Sequence, residues 1–227
     1  MDADALKRQA ALKAIELVQN GMIVGLGTGT TAKHAVLALG DRVKAGLKIR
    51  GVPTSAETAG LAAQAGIPLA DPEEPWSIDV AIDGADEVDP QFNLIKGGGG
   101  ALLKEKIVAV AAKRFVVVVD QSKRVAALGV SFPLPVEVVR FGWRSTARAI
   151  EALGLKPALR ERGGGAFVTE AGHYILDLAT GAIGQPAELE AELNLIPGVV
   201  ETGLFVGRTD VLIVGTPAGV QVESRAR

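Results

Sequence analysis

The sequence predicts an α/β fold: a Rossmann-like, mostly parallel sheet with helices on both faces, plus a smaller ferredoxin-like α+β domain. Three observations carry this. Strand and helix patterns alternate from Met22 to Asp120. The apolar runs Ile23-Val24-Gly25-Leu26 and Val116 to Val119 are continuous, as expected of parallel strands buried on both faces. From about Ser131 the order changes to β-α-β-β-α-β, the split βαβ arrangement.

The elements follow in chain order. Residues 5–20 carry an apolar stripe at Ala11, Ala14, Ile15 and Val18, a helical spacing that Asn20-Gly21 should stop. A buried strand spans Met22 to Leu26, followed by GTGTTA and a helix through about Lys44. Residues 48–53 read as a strand. Thr54-Ser55-Ala56-Glu57 fits a capping box, so a helix starts there and runs to about Gln64. Ile78 to Ile82 is a strand that leads into DGADEVD and KGGGG, then a helix from about Ala101 to Lys113. Phe115 to Val119 is the next strand. The second pattern places strands at 134–139, 157–162, 173–178 and 199–206, with helices at 143–153 and 186–194. The glycines at 163–165 read as a flexible link. Val211 to Val214 and Val220 to Val222 flank the turn TPAG and are expected to return to the first domain. The predicted domains are therefore 1–130 with 207–227, and 131–206.

Composition narrows the function. Across 227 residues, 24 Lys and Arg stand against 26 Asp and Glu, a net charge of −2. A nucleic-acid binder usually shows a basic excess, so none is expected as partner. The aromatic content of 4% also disfavours base-stacking platforms. No cysteine is present, which excludes thiolate nucleophiles and disulfides. His34 and His173 are the only histidines, which excludes multi-histidine metal sites; no metal is expected. The amino terminus does not read as a signal peptide. No apolar stretch approaches the roughly 20 residues that span a bilayer, so no membrane partner is expected and a cytoplasmic protein is.

Three distinctive segments each follow a predicted strand: GTGTT, within GLGTGTTA (25–32), after Met22–Leu26, DGADE, within DGADEVD (83–89), after Ile78–Ile82, and Asp120 to Lys123 after Phe115–Val119; KGGGGALLKEK (96–106) lies between the second and the third. In open parallel sheets the ligand crevice lies outside the carboxyl ends of the strands, so the segments should converge there. GLGTGTTA fits either a phosphate cradle at a helix start, with Thr28, Thr30 and Thr31 adding hydroxyls, or a turn that merely reverses the chain. It is neither a Walker A loop nor G-x-G-x-x-G. DGADEVD fits a solvated acidic loop or a site in which Asp83 and Asp86 point into the crevice; its spacing is not that of an EF-hand. Four consecutive glycines cost conformational entropy, so a hinge or a required bare backbone must explain them. Leu102, Glu105 and Ala109 are spaced to share one helix face, which turns Glu105 towards the core; the other reading pairs Glu105 with Lys104 or Lys106 at the surface. Lys123 alone reads as an exposed lysine. His34 and His173 are given no role.

These segments, with FPLPVEV and IPGVVETGLF, occur in the order seen in the type A ribose-5-phosphate isomerases, which the chain resembles along nearly its whole length. The resemblance implies interconversion of D-ribose 5-phosphate and D-ribulose 5-phosphate in the pentose phosphate pathway. It implies that Glu105 moves a proton between C2 and C1, that Asp83 assists ring opening, and that Asp86 and Lys96 line the sugar site. Thr28, Gly29, Thr30, Thr31, Gly84, Ala85, Gly97, Gly98, Gly99 and Lys123 would complete the substrate-binding set. No metal or organic cofactor is implied, and the expected assembly is a homodimer or larger homo-oligomer. Two rivals differ in kind. An amino-sugar-phosphate deaminase would use a related scaffold. A non-catalytic sugar-phosphate sensor should carry a DNA-binding module.

Overall fold

A computed structural model describes residues 3–225. The elements run α1 (Ala3–Ile15), β1 (Ile23–Leu26), α2 (Thr30–Lys44), β2 (Arg50–Pro53), α3 (Ala56–Ala65) and β3 (Val80–Asp83). Next are β4 (Glu87–Val88), β5 (Leu94–Ile95), α4 (Leu102–Ala111) and β6 (Phe115–Asp120), then a 3-10 turn at Gln121–Lys123. They continue with β7 (Leu134–Val138), α5 (Trp143–Glu151), β8 (Pro157–Leu159), β9 (Glu161–Arg162), β10 (Gly165–Ala166) and β11 (Tyr174–Leu178). The chain closes with α6 (Pro186–Asn194), β12 (Val199–Thr202), β13 (Leu204–Phe205), β14 (Val211–Thr216) and β15 (Gly219–Ser224).

The described residues form two compact units: 3–85, 104–123 and 208–225, and 86–103 with 124–207. The boundaries expected from sequence differ from these. Residues 86–103 and 124–130 pack with the second unit, because β4 and β5 pair with β13 rather than joining the large sheet.

In the first unit, six strands lie in the order β15-β14-β6-β3-β1-β2. All neighbours are parallel except the terminal β14–β15 hairpin. The returning tail thus extends the sheet beside β6. Val24, Leu26, Ile82, Val116, Val118 and Ile213 face one core, which Ala10 and Ala14 of α1, Leu39 of α2 and Ala62 of α3 complete. The other face receives α4: a Cβ at Gly25 would stand 2.6 Å from Val108 Cγ1, so the bare strand lets the helix seat closely. All six residues of β6 are buried. That explains its unbroken apolar run, since each buried aliphatic side chain contributes roughly 1.5–3 kcal/mol.

In the second unit, a four-stranded antiparallel sheet has the order β12-β7-β11-β8. With α5 and α6 this is the ferredoxin-like arrangement. Leu134, Val136 and Val138 of β7 alternate towards Ile150 of α5 and Leu193 of α6. Two local expectations change. The strand expected at 199–206 breaks at Gly203, whose N–H donates to Pro135 O (2.7 Å) while its carbonyl accepts from Lys96 N–H (2.9 Å). The glycines at 163–165 form no loose link; Gly163 and Gly164, both left-handed (φ 66° and 84°), are the two-residue turn of the β9–β10 hairpin.

Candidate active site

The first unit holds the GLGTGTTA turn, Asp83 and Glu105. Gly27 N–H donates to Ile82 O (3.0 Å), joining the exits of β1 and β3. One oxygen of buried Asp83, Oδ1, accepts from Thr28 N–H (3.2 Å) and Gly84 N–H (2.7 Å). This is why position 27 must be glycine: a Cβ there would lie 2.1 Å from Asp83 Oδ1. Thr31, also buried, lies in the first turn of α2, close enough that a Cβ on Gly84 would approach its Cβ to 3.8 Å. Two of the sequence segments therefore meet at the carboxyl ends of β1 and β3. Gly29 caps α2 in the left-handed region (φ 103°) with no side-chain cap, and exposed Thr30 begins the helix, whose first N–H groups have no partner within it.

The hydroxyl of Thr28 turns elsewhere. It lies within 2.7 Å of Thr54 Oγ1, 2.9 Å of Ser55 Oγ and 3.2 Å of Thr58 Oγ1. Ser55, not Thr54, is the N-cap of α3 and accepts from Thr58 N–H. Thr54 instead donates to Leu26 O (3.2 Å). The hydroxyl cluster thus ties the glycine turn to β2 and α3.

Glu105 stands in the first turn of α4 and is 6% exposed. It shares the inward face with Ala109 and is one turn ahead of Val108, which packs over Gly25. Because α4 ends just before β6 begins, its first turn lies at the carboxyl edge of the sheet. The surface reading of Glu105 does not hold, and Lys106 is buried as well. Lys123 closes the 3-10 turn after β6 and is half-buried.

Lys7 of α1 escaped the sequence reading. Its Nζ lies 3.3 Å from Thr30 Oγ1 and 3.9 Å from Asp120 Oδ2, which adds a cation beside the glycine turn. No local motif marks it, since a lysine in an amphipathic helix is ordinary.

The second unit holds Asp86 and the glycine run. Asp86 Oδ2 accepts from Gly98 N–H (2.8 Å). A Cβ at Gly98 would come within 2.9 Å of both Asp86 Oδ1 and the Phe132 ring, so a bare backbone is required there. Lys96 is 3% exposed, with Nζ 5.6 Å from the centre of the Phe205 ring. The remaining acids of DGADEVD are structural. Glu87 accepts from Gly129 and Ser131 N–H, each at 2.6 Å. Asp89 accepts from Gln91 and Asn93 N–H and from the Asn93 side-chain amide. The histidines stand apart: His34 pairs with Asp4 (2.9 Å) and His173 with Glu137 (3.0 Å). Among the described residues no group of three or more His, Asp or Glu side chains is arranged to hold a metal ion, and no helix is long and apolar enough to cross a membrane.

The chain matches the family model of ribose 5-phosphate isomerase A (phosphoriboisomerase A) over residues 50–219. Ribose-5-phosphate isomerase A of Gloeobacter violaceus is 54% identical over 223 residues, spanning 98% of this chain and 97% of the relative. That of Thermomicrobium roseum is 51% identical over 229 residues, spanning 100% and 97%. A solved D-ribose-5-phosphate isomerase in complex with phospho-erythronic acid superposes with a TM-score of 0.95 at 40% identity, over 99% of this chain and 100% of that one. The enzyme from Methanocaldococcus jannaschii gives 0.93 at 42% identity, over 97% and 99%. By sequence and by fold, the chain belongs to the ribose 5-phosphate isomerase A family.

Proposed function

We propose that this chain interconverts D-ribose 5-phosphate and D-ribulose 5-phosphate through an enediolate, with Glu105 as the proton carrier. The observation that carries the assignment is Glu105 itself: a buried carboxylate on the inward face of α4, at the carboxyl edge of the parallel sheet, in a chain of this family. Glu105 removes the proton from C2 of the open-chain aldose. The electron pair moves towards C1, and charge develops on the former carbonyl oxygen. The same carboxyl group returns the proton to C1, while the hydroxyl proton passes from O2 to O1. A positioned acid–base group of this kind contributes roughly 10²–10⁴-fold.

The other roles follow the chemistry of their neighbours. Asp83 assists opening of the furanose ring, and its hydrogen bonds to Thr28 and Gly84 N–H hold it in one orientation. Gly29, Thr30 and Thr31 at the start of α2, with Lys7 and Lys123, suit the phosphate by charge and by the helix dipole. Asp86, Gly84 and Ala85 serve the sugar hydroxyls. Lys96 and the amides of Gly97 and Gly99 counter the enediolate charge, while the Gly98 amide holds Asp86. No metal or organic cofactor takes part in this scheme, so activity should survive EDTA. The family resemblance supports a cytoplasmic homodimer or larger homo-oligomer; a monomer in sedimentation would overturn that assembly.

The test is an isomerisation assay on wild type and Glu105→Gln. Wild type should convert ribose 5-phosphate, and Glu105→Gln should lose about 10²–10⁴-fold in kcat with little change in KM. Near-normal turnover by the variant would remove Glu105 from the role. Wild type acting on glucosamine 6-phosphate and not on ribose 5-phosphate would replace the isomerase reading with the deaminase one.

A further inference from the structure

The KGGGG segment is held from a direction the proposed mechanism does not use. Arg160, between β8 and β9, is mostly buried, with its side chain 11% exposed. Its Nε donates to Asp177 Oδ2 (2.8 Å) and its Nη2 to Asp177 Oδ1, a two-point pairing. The remaining nitrogen, Nη1, donates to the carbonyls of Gly97 (2.8 Å) and Gly98 (3.3 Å). The Gly97–Gly98 peptide is thus pinned at both ends, since its N–H donates to Asp86 Oδ2 (2.8 Å). The next peptide is pinned at one end only. Its carbonyl faces Arg160, and the Gly99 N–H makes no hydrogen bond among the described residues. Gly99 is exposed, with open space around its Cα. In a trans peptide the C=O and N–H point in opposite directions, so drawing the carbonyl towards Arg160 turns the Gly99 N–H away from it. A guanidinium on the carbonyl also polarises the peptide and strengthens the donor.

We propose that Arg160, oriented by Asp177, is a positioning residue that aims and polarises the Gly99 N–H as a donor to the enediolate oxygen of the substrate. This rests on the isomerase reading above and adds to it a residue some 60 positions downstream, in the ferredoxin-like sheet. Asp177 also neutralises the guanidinium, so Arg160 acts through the peptide dipole rather than by adding net charge.

Three variants test the proposal: Arg160→Lys, Arg160→Met and Asp177→Asn. Each is assayed for kcat and KM with ribose 5-phosphate and for competitive inhibition by inorganic phosphate, with melting measured in parallel. Removing an oxyanion donor outright costs about 10²–10³-fold in kcat, and misaiming one should cost less. We expect both Arg160 variants to lose roughly 10–100-fold in kcat, with KM and phosphate inhibition within about threefold of wild type. Lysine should not rescue, because one ammonium cannot hold Asp177 at two points and two carbonyls together. Asp177→Asn should fall between wild type and Arg160→Met. In spectra of 15N-glycine-labelled protein, the Gly99 amide proton should move upfield in Arg160→Met.

A folded Arg160 variant with unchanged kcat would overturn the proposal. So would a raised KM with kcat retained, which assigns Arg160 to ground-state binding. Unfolding of all three variants would make the pairing a structural staple and would also overturn it. Wild type inert towards ribose 5-phosphate would defeat the isomerase reading instead, and the Gly99 shift would still decide whether Arg160 aims that peptide.

Discussion

The two glycine-rich segments look alike in composition and are built on different physics. At Gly27 the constraint is a single wedge: the Asp83 carboxylate occupies the volume a side chain would need and bonds the flanking amides. At Gly97 and Gly98 the backbone is pinned from opposite sides, by Asp86 on an amide and by Arg160 on carbonyls. The first arrangement presents a carboxylate through a turn. The second presents the turn itself, as oriented peptide groups. Similar residues can therefore mark either a gap left for a neighbour or a backbone held by side chains on opposite sides, and only the partners distinguish the two.

Substitutions can break this contrast. The largest effect is expected for Gly27→Ala. With 2.1 Å to Asp83 Oδ1, the carboxylate must move, so activity should fall more than about 100-fold and stability by roughly 1–3 kcal/mol or more. Turnover within threefold of wild type would show that the Asp83 position tolerates movement. Next comes a pair within the second segment. Gly98→Ala meets Asp86 and the Phe132 ring at 2.9 Å and should cost about 1–3 kcal/mol in denaturant titration, whereas Gly99→Ala meets nothing and should stay within about 0.5 kcal/mol. Equal losses at both positions would mean that the run needs glycine for flexibility rather than for close approach.

The smallest effect sharpens the comparison at the other end of β1. Asp79 Oδ2 accepts from Ile23 N–H (2.9 Å) and Oδ1 from Lys113 Nζ (2.7 Å), mirroring at the strand's start what Asp83 does after its end. The Lys113 contact, then the Ile23 amide, lower the Asp79 pKa below its ordinary value near 3.8. The folded state then binds the proton less readily than the unfolded chain. The contribution is complete above that ordinary value and is lost as pH falls through the lowered one. Lys113 is 64% exposed, so solvent screens the pair, and Asp79→Asn should cost only about 0.2–1 kcal/mol at pH 7. Melting curves of wild type and variant should converge in strong acid; a gap that widens as pH falls would contradict the sign.

Much of this was legible without coordinates, where local pattern and burial agree. The run Val116 to Val119 announces a doubly covered strand, and the spacing of Leu102, Glu105 and Ala109 turns Glu105 inward. The β-α-β-β-α-β order likewise leads to the antiparallel sheet of the second unit. Reading failed where a distant group intervenes. Helix α1 ends at Ile15, not near Asn20, because Arg42 donates to the carbonyls of Ile15 and Val18 and holds the turn that follows. Strands β4, β5 and β13 span two residues each, too few for periodicity to register. They nevertheless move residues 86–103 into the second unit. Within DGADEVD the four acids are indistinguishable by type. Glu87 and Asp89 are committed to backbone amides that only folding brings near.

The sequence by itself determined the kinds of layer, the glycine turn after β1 and the inward face of Glu105, because hydrophobic period and glycine placement are local properties of the chain. Tertiary structure alone decided which glycine makes room for a carboxylate, which acid is spent on backbone amides, and that Lys7 and Arg160 stand beside the two turns. Those outcomes depend on hydrogen-bonding partners far away in the chain, and a hydrogen bond acts over about 3 Å of space regardless of sequence separation.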